Sequence, residues 1–526
     1  MVGDTVSSRP NGSGQEIDER FKTLLNNTQA ARVVSQAVEG TIGPRGLDTM
    51  MVDNFGDVII TNDGLTILKL MDVNHPVAHM IINTARAQQE EVGDGTTTAT
   101  IMAAAMVAEG TAQVMRGVPV TRILEGINIG VKRGLEEIEL RSQKASGLTD
   151  PRLYQVALIA GRGDREIAQL VTEAIVLIGE ERLREPGFKL ADTLIGLEGC
   201  PSQVLEGVII KKEPLNRDMP RQVSNACIAI IDDNLRPEEI GDGALGTESG
   251  FKKYLELKEK YQSNLQKLID LGVNVVLVDR SIDDQAEEVF TDAGIMAVHR
   301  VSRHELDRIS ELTGARKVKR TALNRDLEQL QRYLGSARLV EYREELTQIR
   351  VVGGPQKGVA TIIIGASTSE VVEEKERMAK DSAAALQAAY ADGMVPGGGC
   401  IEVWLASCLE ELAHQVQGMT SYGVLCVKEA LERPFSCIMN NAGYNPLEKL
   451  VQVVQAQQTA GTPGWGIDCD DGAVVSVTEV GIWDPAPVKT KALKAAGEVA
   501  SAILRINTVI KKRDVSGQYA NGNSDG

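Results

Sequence analysis

The hydrophobic pattern opens on a helix. Leu24, Leu25, Ala30, Val33, Val34 and Ala37 recur at helical spacing and predict a helix over 20–39, ended by Gly40. A tight Gly43-Pro44-Arg45-Gly46 turn follows. The runs Thr49 to Val52 and Asp57 to Thr61 predict a short hairpin about Asn54-Phe55-Gly56. From Ile67 to Gly134 the pattern is mostly helical, punctuated by Gly and Pro. Further on the period changes. Val208-Ile209-Ile210, Val273 to Val278, Ile295 to Val301 and Ala360 to Ile364 predict buried strands, with a helix over Asp283 to Ala293. Gly207 precedes the first of these strands and Gly365 follows the last. A domain inserted into another would cross at two such points. Charged, helix-favouring residues run from Phe251 to Asp270, behind the flexible stretch Gly241-Asp242-Gly243-Ala244-Leu245-Gly246. They predict a long exposed helix on a loose stem, although a solvated helix of no special role reads the same way.

Composition narrows the class. A chain of 526 residues implies about two to four domains. Hydrophobic residues make up 43% and charged residues 25%, as in ordinary globular proteins, but aromatics only 3%, so Ala, Val, Ile and Gly carry the packing. Lys plus Arg number 56 against 73 Asp plus Glu, a net charge of −17. That charge argues against nucleic acid or an anionic membrane as partner. The seven cysteines (Cys200, Cys227, Cys400, Cys408, Cys426, Cys437 and Cys469) form no CxxC pair and are odd in number, which fits reduced thiols in the cytoplasm. The five histidines are scattered, none beside a cysteine pair, so no zinc site is expected and they read as surface or packing residues. Met1 to Gly14 is polar and lacks the apolar core of a signal peptide. No run approaches the roughly 20 apolar residues of a membrane span. Both ends are expected to fray, the second over Gly517 to Gly526.

The strongest chemical signal is Gly93-Asp94-Gly95-Thr96-Thr97-Thr98-Ala99-Thr100, ahead of an Ala/Met-rich helix from Ile101. Glycines let a backbone approach a ligand, and threonines at a helix start add hydroxyls to unpaired N–H groups, which makes an anion site. Asp94 beside it suits Mg2+, which takes one or two carboxylates and completes its shell with phosphate oxygens. No Gly-Lys-Ser/Thr follows, so this is not a Walker A loop. Taken alone, Asp94 and Thr96 read equally well as helix caps. Asn62-Asp63-Gly64 places a second carboxylate in a turn, Asp381 stands on a helical stretch, and Asp484 lies in Gly481-Ile482-Trp483-Asp484-Pro485. Met102 and Met106, one turn apart, read as core.

Five motifs together resemble the chaperonins: Thr41-Ile42-Gly43-Pro44-Arg45-Gly46-Leu47-Asp48, Thr61-Asn62-Asp63-Gly64, Gly93 to Thr98, Val395 to Gly399, and Gly481 to Pro485. They occur in the family's order at similar separations, and the resemblance spans residues 20 to 512. Phe55 to Gly64, His75-Pro76, Asn441-Ala442-Gly443 and Ile503-Leu504-Arg505-Ile506 resemble the group II branch of thermosomes and the eukaryotic cytosolic chaperonin. Two departures point to the divergent bacterial relatives called group III. Gly161-Arg162-Gly163 stands where group II chains usually have Gly-Lys-Gly, and the protrusion region, about Leu235 to Gln262, is shorter and Gly-rich.

The resemblance implies a multi-domain chaperonin fold. It divides the chain into a mainly helical equatorial domain (1–142 and 395–526), a small intermediate domain (143–207 and 365–394) and an α/β apical domain (208–364) with a helical protrusion. Gly207 and Gly365 match the apical hinge, and Gly393 lies near the lower one. ATP and Mg2+ are the implied cofactors. Thr41, Ile42, Gly43, Pro44 and Gly398 would wall the nucleotide. Asp94, Gly95, Thr96, Thr97 and Thr98 would bind its phosphates, with Asp94 on the metal. Asp484 would meet the ribose, Asp468 lies near the base, and Gly161 and Arg162 sense the terminal phosphate. Asp63 and Asp381 would position and activate the attacking water. Without the resemblance, Asp381 on its charged helix reads as a solvated face. The implied partners are non-native proteins and further subunits, about eight to a ring with two rings stacked. No separate lid protein, nucleic acid or membrane is implied. A stand-alone ATP-dependent enzyme such as a kinase, or a scaffold without ATP chemistry, are the alternatives. Intact Asp63, Asp94 and Asp381 speak against the second.

Overall fold

The computed structural model describes residues 12–52, 56, 58–238 and 247–509. The Asn54-Phe55 turn, the Gly241 to Gly246 stretch and both chain ends therefore lie outside the described residues. The chain divides into two compact units, Met1–Ala145 with Ala388–Gly526, and Ser146–Gln387.

The first unit is built on helices. Its centre is the helix Thr96–Met115, with Ala99, Ile101, Met102, Ala103, Met106 and Val107 all buried. A helix apolar on every side belongs inside a bundle. Helices Gly12–Glu39, Pro76–Val92, Ser421–Asn441 and Ala486–Leu504 pack around it. The low aromatic content shows its effect here, because small residues let backbones approach closely. Helix Val120–Arg141 crosses Ser421–Asn441 at Gly126 and Gly423. A Cβ on Gly423 would stand 2.2 Å from the Ile123 carbonyl oxygen, and one on Gly126 2.1 Å from that of Thr420. Strands Thr49–Val52 and Val58–Thr61 form the expected antiparallel hairpin, with Met50 opposite Ile60.

The second unit holds two sheets. The six-stranded sheet runs in the order Gly207–Ile210, Gln348–Val352, Gly335–Arg343, Gln222–Ile231, Val275–Val278, Met296–Val298. Its first four strands pair antiparallel and its last three parallel. The parallel part follows the α/β reading, including the helix Asp284–Asp292 between its last two strands. The three-stranded sheet sets Thr361–Ala366 between Leu194–Glu198 and Gln203–Leu205. The helix expected from Phe251 extends over Glu248–Asp270.

The two glycines read as bounding strands lie within them instead. Gly207 pairs with Val352, and a Cβ there would stand 2.3 Å from the Val351 carbonyl oxygen. Gly365 pairs with Leu197, and its Cβ would stand 1.8 Å from the Cys200 carbonyl oxygen. Close backbone approach explains glycine at both positions.

The Gly126–Gly423 crossing has a measurable consequence. Gly423→Ala should destabilise the protein by about 1–3 kcal/mol, because the added methyl must push two helix backbones apart. Thermal or urea unfolding of the variant checks this, and an unchanged midpoint would contradict the crossing.

Candidate functional site

In the first unit, the helix Thr96–Met115 begins without a side-chain cap, since its N-cap is Gly95, held at φ 80°. The opening N–H groups of a helix have no partner within it, and the helix dipole adds positive potential there. The preceding turn is fixed from below. Asp94 Oδ1 accepts from the Gly95 N–H (2.6 Å), and Gln88 Nε2 donates to the carbonyls of Asp94 (2.9 Å) and Val488 (3.2 Å). A Cβ on Gly95 would meet Val488 Cγ1 at 2.5 Å.

The turn Asn62–Gly64 lies against this helix start, where a Cβ on Gly64 would stand 2.2 Å from Thr97 Oγ1. Asp63 caps the helix Gly64–Leu70. It accepts from the Leu65 N–H (3.3 Å), the Thr66 N–H (2.9 Å) and the Thr66 hydroxyl (2.5 Å). Beside it, Asn62 Oδ1 is buried with no hydrogen-bond partner. Asp63, Asp94, Gly95, Thr96, Thr97 and Thr98 are thus brought together.

The remaining first-unit residues line neighbouring segments. The Thr41–Pro44 turn is held by Asn441, whose Nδ2 donates to the carbonyls of Glu39 and Ile42, both at 2.9 Å. Ile42 packs with Phe435, Ile438 and Ile467, and Arg45 pairs with Asp470. Asp468 Oδ1 accepts from the Asp470 N–H (2.8 Å), shaping the turn after strand Trp465–Ile467. Strand Met394–Pro396 pairs with Trp483–Pro485, placing Asp484 opposite Val395 and beside the Gly397–Gly399 turn. Asp484 Oδ2 also meets Lys489 Nζ at 2.7 Å, and the same ammonium lies 2.7 Å from Glu402 Oε1.

Sequence reasoning did not single out Lys489, Glu402 or Gln88, and used Asn441 only as a mark of resemblance. For Lys489 a signal existed. It shares a helix face with Ala492, Leu493 and Ala496, which are all buried, and a lysine on such a face needs an acidic partner. His75, read as surface or packing, is instead a cap, since its Nδ1 accepts from the Val77 N–H at 3.2 Å.

The second unit carries the other candidates. Asp381 lies on the helix Ser369–Asp392. Its neighbour Ser382 is fully buried and donates to the Ala157 carbonyl at 2.8 Å. A Cβ on Gly161 would lie 3.6 Å from Ser382 Cβ, so the Gly161–Gly163 loop abuts the helix next to Asp381. Arg162 stands in the left-handed region at φ 54°, and its Nη1 pairs with Glu374 Oε1 at 2.8 Å. Glu374 lies about two helical turns before Asp381.

Among the described residues no three His, Cys, Asp or Glu side chains cluster as a metal cage. The Asp94 carboxylate beside a helix start without a side-chain cap fits Mg2+ that is held mainly through phosphate and water. All seven cysteines are free thiols.

A protein of this fold, with the Gly93–Gly95 turn ahead of the central helix of its helical unit, belongs to a known class. Residues 34–514 match the TCP-1/cpn60 chaperonin family, and the chain belongs to that family as a chaperonin subunit. It is 32% identical to a thermosome subunit of Pyrococcus abyssi, over 100% of this chain and 98% of that one. To a thermosome subunit of Methanopyrus kandleri it is 35% identical, over 93% and 92%. The crystal structure of a group III chaperonin in the open state is 43% identical, with a TM-score of 0.86 over 94% of this chain and 100% of that one. The higher identity to the group III protein agrees with the divergence seen in the sequence.

The cap at Asp63 can be tested separately from any chemistry. Asp63→Ala should cost about 1 kcal/mol of stability, whereas Asp63→Ser, which can still cap, should retain most of it. Chemical denaturation of the two variants checks this, and equal losses would show that the cap contributes nothing.

Proposed function

We propose that this subunit binds and hydrolyses ATP, and that turnover closes a built-in lid over a chamber holding non-native proteins. The observation that carries this reading is the uncapped start of helix Thr96–Met115, with Asp94 on one side and the Asn62–Gly64 turn on the other. In this reading the N–H groups and hydroxyls of Thr96, Thr97 and Thr98 take the phosphates, and Asp94 holds Mg2+ against them. Mg2+ supplies charge neutralisation at the phosphates. Thr41, Ile42, Gly43, Pro44 and Gly398 wall the nucleotide, Asp484 takes the ribose, and Asp468 lies near the base. Gly161 and Arg162 answer to the terminal phosphate.

Phosphoryl transfer is mostly positioning and charge stabilisation, and the water needs an oriented acceptor. Asp63 and Asp381 supply it. Three capping bonds, one on Oδ1 and two on Oδ2, leave about one of the roughly four acceptor positions of the Asp63 carboxylate open, on Oδ1. Confining an unfolded chain keeps its apolar surface from aggregating.

We assign the second unit to two domains on this reading. The three-stranded sheet with its flanking helices is intermediate, and the six-stranded sheet is apical, with Glu248–Asp270 as the base of the protrusion. Phe251, Tyr254 and Leu255 are exposed on that helix, which suits contact with an apolar surface. Assembly into two stacked rings of about eight subunits has its own support. The hairpin exposes Met50 and Ile60 (62% and 59%) with Val52 and Val58 on one face, and among the described residues both its strands have an unpaired edge. Such an edge suits strand addition by a second copy. No separate lid protein is needed. Seven free thiols support a cytoplasmic location, and among the described residues no helix is long and apolar enough to cross a membrane.

Asp381→Ala should lower ATP turnover at least ~100-fold while nucleotide still binds. Phosphate release measured beside equilibrium nucleotide binding checks this, and near-normal turnover would refute the role. Ile60→Asp should shift the protein from rings to smaller species in negative-stain images and size-exclusion chromatography. Intact rings would remove the hairpin from assembly.

A further inference from the structure

A buried ion triad lies behind the Met394–Pro396 and Trp483–Pro485 pairing. The ammonium of Lys489 sits 2.7 Å from Asp484 Oδ2 and 2.7 Å from Glu402 Oε1. The three side chains are only 11%, 19% and 3% exposed, in the order Lys489, Asp484, Glu402. Burial pulls the Lys489 pKa down, but Asp484 and Glu402 outweigh it and hold the pKa above the ordinary lysine value, so the charge stays.

As a stabilising device this arrangement is poor. Two carboxylates share one ammonium, and Glu402 Oε2 is buried with no hydrogen-bond partner. Apolar residues of similar volume would serve stability as well or better. The geometry points instead to Asp484. With Oδ2 taken by Lys489, Asp484 Oδ1 faces Gly397, where a Cβ would come within 2.8 Å of it. Gly397 thus adds no side chain against that oxygen, and a Cβ there would also crowd Ile482 Cγ2 at 3.1 Å. Because Glu402 shares the ammonium, Lys489 does not fully neutralise Asp484, and Oδ1 remains a strong acceptor. Lys489 also follows Val488, whose carbonyl accepts from Gln88 and whose side chain faces Gly95. The residue that orients Asp484 is therefore joined to the turn before the phosphate-type helix.

We propose that Lys489 and Glu402 are positioning residues that aim the Asp484 carboxylate at the ribose diol of the nucleotide, and that they set the preference for ATP over deoxynucleotides. This rests on the reading of Asp484 as the ribose ligand. Neither residue touches the reacting atoms, so their loss acts on binding and selectivity.

The test uses the full-length assembled protein and measures kcat and KM for ATP, 2′-deoxyATP and 3′-deoxyATP. Lys489→Met should raise KM for ATP about tenfold with kcat within about twofold, and bring the three nucleotides close to equal kcat/KM. Lys489→Arg should recover part of the preference. Glu402→Gln, which keeps an acceptor for Lys489 and introduces no unpaired cation, should lower the preference by about two- to fivefold. It carries the test alone if Lys489→Met does not assemble. Asp484→Ala separates the two readings. If it retains the wild-type preference, the ribose role fails and the positioning role with it. If it loses the preference while Glu402→Gln and any folded Lys489→Met keep it, the ribose role stands and the positioning role is overturned.

Discussion

A helix that starts on glycine leaves its first N–H groups to whatever lies in front of them. In this chain that helix is also the most buried one of its unit, so the start of Thr96–Met115 cannot shift without disturbing the core. The loop before it is held by Gln88, and the Asn62–Gly64 turn rests against Thr97. The positive end of a rigid helix is thereby fixed in place, and this constraint organises the rest of the unit. Small residues serve it twice. Alanines let neighbouring helices close on Thr96–Met115, and glycines at positions 64 and 95 let the backbone come close to Thr97 and Val488, where a Cβ would stand 2.2 Å from Thr97 Oγ1 and 2.5 Å from Val488 Cγ1.

Local signals in the sequence were those whose cause is local. The Gly93 to Thr98 turn, the hairpin before Asn62, the strand Val275–Val278 and the exposed helix after Thr247 are each decided by turn chemistry or by the period of a short run. What escaped is decided at a distance. The strand Gly335–Arg343 mixes polar and apolar residues without a short apolar run, and Gln222–Ile231 is apolar only from Ala226, its first half being mostly polar and exposed. Gly207 and Gly365 stood out as glycines, but the neighbour that excludes a side chain at Gly365 comes from more than a hundred residues away. Asp63 and Asp468 were legible as carboxylates in turns. That both hold their own turns together is visible only in hydrogen bonds.

The same contrast governs the candidate site. Its glycines and aspartates lie in motifs that a sequence can display, while Glu402, Lys489 and Asn441 come from helix interiors and ends. They act through partners far away in the chain: Asn441 on Ile42, and Glu402 on Lys489. Residues that form a turn motif are thus easier to find in a sequence than the residues that hold those turns in place.

Arg162 shows how one substitution can alter a loop without breaking it. A left-handed conformation costs a residue with a side chain about 1 kcal/mol or more, and here it lies between two glycines that absorb the bend. The guanidinium is planar and carries five donors, so pairing one Nη with Glu374 leaves others directed elsewhere. A lysine ammonium in that place is a single point charge and has to share itself between Glu374 and any second anion. Because Glu374 also pairs with Arg377 on its own helix, the carboxylate is held in place whether or not Arg162 is bound to it. In the proposed function the loop therefore answers to the terminal phosphate with a group already oriented by the helix that carries Asp381.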